Sequence, residues 1–453
     1  MDRPLQFSRL GLAGPLQLSD ATIVAVSLAI GSVVSLAIGS PEKFLLPLLG
    51  IPAIALLLVY PDLALAAYVV VGDVKGNESV ASLLPMDLTL AMGTILAAGI
   101  ILNWIRGRGP LCFPAVYCLF LVLIVMMAAS LCYTPAFEAG LDKFARFLTV
   151  TTVVIVAPFF VLNTSTAMKR FLIGFSAATL AICAWSLSHL GGTHRLVSPS
   201  DNTIGLGHIA CALFVVVWTG VVARYSFPRR AIAYPLLAVP ILALIGSASR
   251  GSVIACLAVV ILSVAWKRGL LLDAALLGAI GVAALPFAGL PGSSLSYLGS
   301  LIHSQSLRSL LDFRADLLSY GWSLLQQHPL FGAGLAGFRY LSPNPTLYKW
   351  PHNIFLEIAC ELGIPTALLV VAIFATATQE AIHQLRDRFL RHAALSQVTA
   401  ALLLVGIVNA VNTGNINSDR STWLFVSLVF AVGALRSNEP YYRTADVPVG
   451  AEI

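Results

Sequence analysis

Long apolar runs with few charges, lacking a helical or alternating pattern, constrain this chain more than any other feature of its sequence. About fourteen such segments follow one another, near 21–39, 43–60, 61–71, 86–104, 111–132, 144–162, 170–189, 207–224, 231–247, 252–266, 270–288, 355–378, 394–411 and 421–435. Runs of about 18 residues with few charges read as bilayer-spanning helices. Charged residues make up 11% of the chain, against about 25% in a soluble domain. A water-soluble fold is thereby excluded, because its surface could not be covered with so little charge. The expected fold is all-α, a polytopic transmembrane bundle of about 12–14 helices. The short third segment is the reason for the range, since it reads equally as half of a re-entrant pair. The first run ends in Ala37-Ile38-Gly39-Ser40-Pro41, a loose imitation of a cleavage site. The proline and the apolar runs that follow favour an uncleaved first helix.

The net charge is +6, but topology explains it better than nucleic acid does. Basic clusters recur between alternate runs: Arg3 and Arg9, Arg106 and Arg108, Lys169 and Arg170, then Arg224, Arg229 and Arg230. Lys267 and Arg268 continue the series, and Arg386, Arg388 and Arg391 end it. The positive-inside rule places this set and both termini in the cytoplasm. The long hydrophilic stretch 291–351 then lies outside, with the loops holding Lys143, Arg195, Arg250 and Arg420. The chain reads as one membrane domain, 1–453, with one large outer loop at 291–351. Its seven cysteines, Cys112, Cys118, Cys132, Cys183, Cys211, Cys256 and Cys360, show neither metal-ligand spacing nor a disulfide framework. They read as small buried apolar residues.

Within the outer loop a helix is expected over 306–327, with Leu307, Leu310, Leu311, Leu317, Leu318, Leu324 and Leu325 on one face. Arg314 falls in the middle of that stripe, where an arginine must snorkel, pair or line an anion site. Arg308 and Asp312 lie opposite and read as a solvated pair. The segment Gly332-Ala333-Gly334-Leu335-Ala336-Gly337 has the formal G-x-G-x-x-G spacing. No βαβ unit fits around it, so it reads as a tight turn against the membrane domain, not as a nucleotide site. His352 follows Pro351 and opens the next helix. A helix N-terminus favours neutral imidazole, a form able to accept a proton. An interfacial cap is the plainer alternative for His352, and Asn353 fits a cap at least as well. Arg195 and Arg250 are further outer-face cations. Arg250 sits between two apolar runs with hardly any loop, where it needs protein, water or an anion beside it. Three guanidinium groups fit a phosphate or diphosphate, and an apolar bundle fits a lipid tail. No Asp-x-Asp motif or His/Cys cluster points to a metal.

Several elements in order resemble the O-antigen ligase and polymerase superfamily: Ser249-Arg250-Gly251, then Arg314 about fifteen residues before His328-Pro329-Leu330-Phe331-Gly332-Ala333-Gly334, then His352-Asn353-Ile354-Phe355-Leu356-Glu357 and Glu361-Leu362-Gly363. They cover about 241–373. Where that family often has an aromatic residue four positions after the loop arginine, this chain has Leu318, with Trp322 a turn later and Arg308 as the alternative arginine. The resemblance implies a GT-C-like glycosyltransferase of the bacterial inner membrane. It implies a glycan donor linked to undecaprenyl diphosphate, an active site on the periplasmic side, and no metal or cofactor. His352 would be the base and Arg314 its catalytic partner, with Arg195, Arg250 and Arg314 binding the diphosphate. Lipid A-core is the acceptor if the chain is a ligase, and a second lipid-linked repeat if it is an O-antigen or exopolysaccharide polymerase. A protein-glycosylating relative is a further reading. A lipid-linked glycan transporter would instead place ionisable residues near the bilayer midplane, within a twofold repeat.

Overall fold

The computed structural model describes residues 41–76, 87–189, 196–226, 229–284, 304–346, 348–386 and 392–438. They group into two units, one ending at Tyr60 and the other beginning at Pro61. The described part of the first unit is a single helix, α1 (Pro41–Val59). The second unit holds α2 (Pro61–Val70), α3 (Leu88–Ile105), α4 (Tyr117–Ser130), α5 (Phe137–Val161), α6 (Ser165–Ser188) and α7 (Thr203–Val222). It continues with α8 (Ala233–Ser247), α9 (Arg250–Trp266), α10 (Leu271–Ala284), α11 (Ser304–Gln327), α12 (Ile354–Arg386), α13 (Ala393–Asn412) and α14 (Arg420–Asn438). No strand occurs among the described residues. Among the described residues, six helices, α3, α5, α6, α7, α12 and α13, are long and apolar enough to cross a membrane, and α4, α8 and α9 are shorter apolar helices. This is the all-α polytopic membrane bundle that the apolar runs predict.

Apolar side chains divide between an inner core and an outer surface that faces no protein. Trp218, Trp423, Tyr68, Phe147, Phe159 and Phe171 are fully buried, while Ile101, Leu121, Val125, Ile261, Leu272 and Leu368 are exposed. Exposed large apolar residues of this number are tolerated where the surroundings are hydrocarbon, not water. Trp423 is the hub of one aromatic cluster. Phe147 and Phe374 pack against it with centroids 6.1 and 5.7 Å away, and its indole N–H donates to the Ile416 carbonyl at 3.1 Å. Polar contacts in the core are few and shared. The Tyr117 hydroxyl donates to the Ile155 carbonyl at 3.0 Å and bonds Ser427 at 2.8 Å, tying α4, α5 and α14 together. Such bonds hold membrane helices where apolar burial gives no preference.

Contacts between the connections fall into separate groups. One group carries Arg106, Arg108, Lys169, Arg170, Arg224, Arg230, Lys267 and Arg268. Its contacts include Asn163 to the Gly109 carbonyl at 3.3 Å, Lys267 to the Ala223 carbonyl at 2.9 Å and Arg170 to Asp62 at 2.8 Å. Another carries 131–136, 248–249, 328–353 and 413–419. Of the remaining members of the basic clusters, Arg3, Arg9, Arg388 and Arg391 lie outside the described residues. Lys143 is placed differently from expectation. It lies within α5, which begins at Phe137 and runs through a π-helical turn, Phe147–Thr151, before continuing to Val161. The cysteines also divide: Cys183, Cys211, Cys256 and Cys360 are buried, but Cys112, Cys118 and Cys132 are exposed. An apolar run in a bilayer need not point inward, which is why their setting did not imply burial.

Candidate active site

The hydrophilic loop is anchored to α12 by its own glycines. Helix α11 buries Leu317, Leu324 and Leu325 with Phe338, Ala359 and Cys360. Gly321 lets it cross α12 closely, since a Cβ there would lie 2.9 Å from Leu356. The Gly332–Gly337 segment then folds as a tight turn against the break in α12 at Gly363, whose φ is +86°. Ala333 and Gly334 donate N–H to the carbonyls of Cys360 and Glu361 at 2.8 and 2.9 Å, and Ile364 donates to Pro329 at 2.9 Å. A Cβ at Gly332 would stand 2.3 Å from the Glu361 backbone, and one at Gly363 2.1 Å from the Leu330 carbonyl. The turn is therefore a packing device, as its sequence context suggests, and not a nucleotide cradle.

Arg314 does not occupy the centre of the buried stripe. The packed face of α11 is set by Leu317, Tyr320, Gly321 and Leu324, while Leu318 is 45% exposed. Including Leu318 in the stripe shifts its apparent centre onto Arg314. Arg314 instead sits on the shoulder of the packed face, exposed. Its pKa is pushed down by partial burial and by the like charge of Arg250. Arg250 opens α9. Ser249 before it bonds Ser252 at 3.0 Å and abuts Gly207, where a Cβ would be 2.3 Å away. Neither arginine makes an ion pair among the described residues. Two neighbouring cations without a carboxylate make an anion site by elementary electrostatics.

His352 joins them. It precedes α12 and does not begin it; the cap is Asn353, whose side-chain oxygen accepts from Leu356 N–H at 3.0 Å. His352 has φ +56°. The indole N–H of Trp350 donates to its Nδ1 at 3.2 Å, so the neutral ring carries its proton on Nε2. The ring also makes a hydrogen bond with the backbone of Thr413. Burial first, and the Arg314 charge second, lower its pKa; the Thr413 bond and Glu357 act in the opposite direction. Neutral imidazole is the outcome near pH 7. Arg195 and residues 190–194 lie outside the described residues. Arg308 is on α11, but its side chain is outside the described set as well.

Sequence reasoning missed the support beneath this site. Lys143 bridges Glu357 and Glu361 at 2.6 Å each, and all three are largely buried. The second oxygen of Glu357 accepts Ile416 N–H at 2.9 Å, and Asn417 donates to the Lys143 carbonyl at 2.8 Å. This triad fixes the 413–417 turn that presents Thr413 to His352. Thr413 also bonds Nε2 of His208 through its hydroxyl at 2.9 Å and packs against Gly251 beside Arg250. The available signal was the polar run Asn412-Thr413-Gly414-Asn415-Ile416-Asn417 between two apolar segments, which marks a packed turn but names no partner. Among the described residues, no group of three or more His, Cys, Asp or Glu is placed to hold a metal ion.

No curated protein matches the chain. Residues 235–371 match the family described as O-antigen ligase. That stretch contains Arg250, Arg314 and His352, in the order in which the motifs resemble the family. This segment is similar to the O-antigen ligase family, which supports the resemblance of the motifs to the O-antigen ligase and polymerase superfamily.

Proposed function

We propose that this protein transfers a glycan from undecaprenyl diphosphate to an acceptor sugar hydroxyl at the periplasmic face of the inner membrane, as a ligase attaching O-antigen to lipid A-core. The observation that carries this reading is the position of Arg314, which has Arg250 as a neighbour and a neutral His352 as another, both arginines making no ion pair among the described residues. The acceptor hydroxyl would displace the Trp350 indole at Nδ1 of His352 and give its proton to that nitrogen. Its oxygen would then attack the anomeric carbon while the bond to the diphosphate oxygen breaks. The imidazolium so formed would keep its Nε2–H bond to Thr413. Arg314 and Arg250 would take up the charge growing on the leaving diphosphate, without a metal. A single displacement of this kind inverts the anomeric carbon. Arg195 would join the diphosphate site from the 190–195 segment.

Deleting the gene in its host tests the reading, with lipopolysaccharide resolved on a gel and lipid-linked glycans extracted in parallel. A ligase loses the O-antigen ladder from lipid A-core while full-length chains accumulate on undecaprenyl diphosphate. Single repeats alone, on core or on lipid, would make the protein a polymerase. An unchanged ladder contradicts both.

A further inference from the structure

A cavity of about 340 Å³ opens at the end of the bundle away from His352, lined by Asp62, Asn103, Arg108, Asn163, Thr164 and Arg170 among others. Lys143 below His352 and Val161 at this cavity lie eighteen residues apart on α5, about 27 Å along a helix. The inner wall offers acceptors. Asp62 is 1% exposed and Asn103 3% exposed. The Asn103 side-chain oxygen is buried without a hydrogen-bond partner, an arrangement that costs free energy unless a donor reaches it. Asp62 already receives two bonds from Arg170, at 2.8 and 3.3 Å. The rim offers positive charge. Arg108 is exposed, and the N-terminus of α6 lies beside it, capped by Thr164. Anions settle where a helix N-terminus and an arginine meet.

The surroundings indicate where the anion comes from. On α3, just before the cavity, Ile101, Trp104 and Ile105 are 56%, 69% and 73% exposed. An apolar strip that ends in an exposed tryptophan and then Arg106 and Arg108 marks the level at which acyl chains give way to headgroups. With two arginines and one aspartate the cavity is net positive, so it disfavours an ammonium headgroup. We propose that this cavity binds the headgroup of an anionic, hydroxyl-bearing phospholipid of the phosphatidylglycerol type. The phosphate lies at Arg108 and the α6 N-terminus, and a headgroup hydroxyl donates to Asn103. Basic pockets between membrane helices bind such headgroups in this way.

The test uses the purified full-length protein in detergent, with retained lipid measured by native mass spectrometry during titration with phosphatidylglycerol, phosphatidylethanolamine or inorganic phosphate. Phosphatidylglycerol should be retained. Arg108→Gln and Asn103→Leu should each weaken it about tenfold, the loss of one hydrogen bond to a charged or otherwise unpartnered group. Arg108 is on the surface, so its variant folds whatever Asn103→Leu does. Equal retention by Arg108→Gln and the parent protein overturns the proposal. So does equal binding of phosphatidylethanolamine, or displacement of the lipid by inorganic phosphate.

Discussion

His352 holds a backbone angle, φ +56°, that costs a non-glycine residue about 1–3 kcal/mol. The contacts that hold it there are specific: Trp350 on Nδ1, Thr413 on the ring's other side, and the Asn353 cap immediately after. The pKa of the ring lies below its ordinary value, so the sign of a pH effect is fixed. Protonation removes the base, and it begins only below the ordinary histidine pKa of about 6.5. Transfer measured as kcat/KM should therefore be level above that pH and fall on the acid side, with its inflection below it. An inflection at or above the ordinary value would contradict the proposed base. For Arg314 the fork matters as well as the charge. Arg314→Lys should lower kcat/KM by about a hundredfold, the loss of a bidentate charge-assisted contact in the transition state. A fully active lysine variant, measured at matched expression, would assign the anion to another residue.

At the scale of elements, the loop and the bundle are joined by features with unequal sequence signals. The glycine turn was legible, because Gly332, Gly334 and Gly363 stand at positions whose φ is +70°, +81° and +86°, and G-rich sequence outside a βαβ unit has few other uses. The helix 306–327 was legible in extent but not in facing, since leucine covers more of α11 than its packed side. The Lys143 triad was not legible at all: its lysine and its glutamates are more than two hundred residues apart in sequence. Lys143→Met leaves two buried carboxylates without their cation. Breaking a buried pair from one side costs about 3–5 kcal/mol, so the unfolding midpoint in detergent should drop by several degrees. Because the triad holds the 413–417 turn, transfer should fall in proportion beyond any loss of folded protein. An unchanged midpoint would show that the triad is not a structural tie.

For the whole molecule, composition alone dictated the membrane bundle. The apolar segments 86–104, 207–224, 252–266 and 394–411 correspond to α3, α7, α9 and α13, offset by a few residues at their ends. Basic residues such as Arg106, Arg224 and Lys267 marked helix ends, because charge cannot stay in hydrocarbon. Which residues meet at the candidate site needed coordinates: Arg250, Arg314, His352 and Thr413 come from four separate segments. The most direct test of the central claim is transfer by purified protein from an undecaprenyl-diphosphate-linked glycan to lipid A-core, with His352→Ala alongside. Core-linked product is expected from the parent protein and none from a His352→Ala variant that inserts and unfolds normally. Equal product from both proteins would contradict it, as would a parent protein that lengthens the lipid-linked chain and leaves the core untouched.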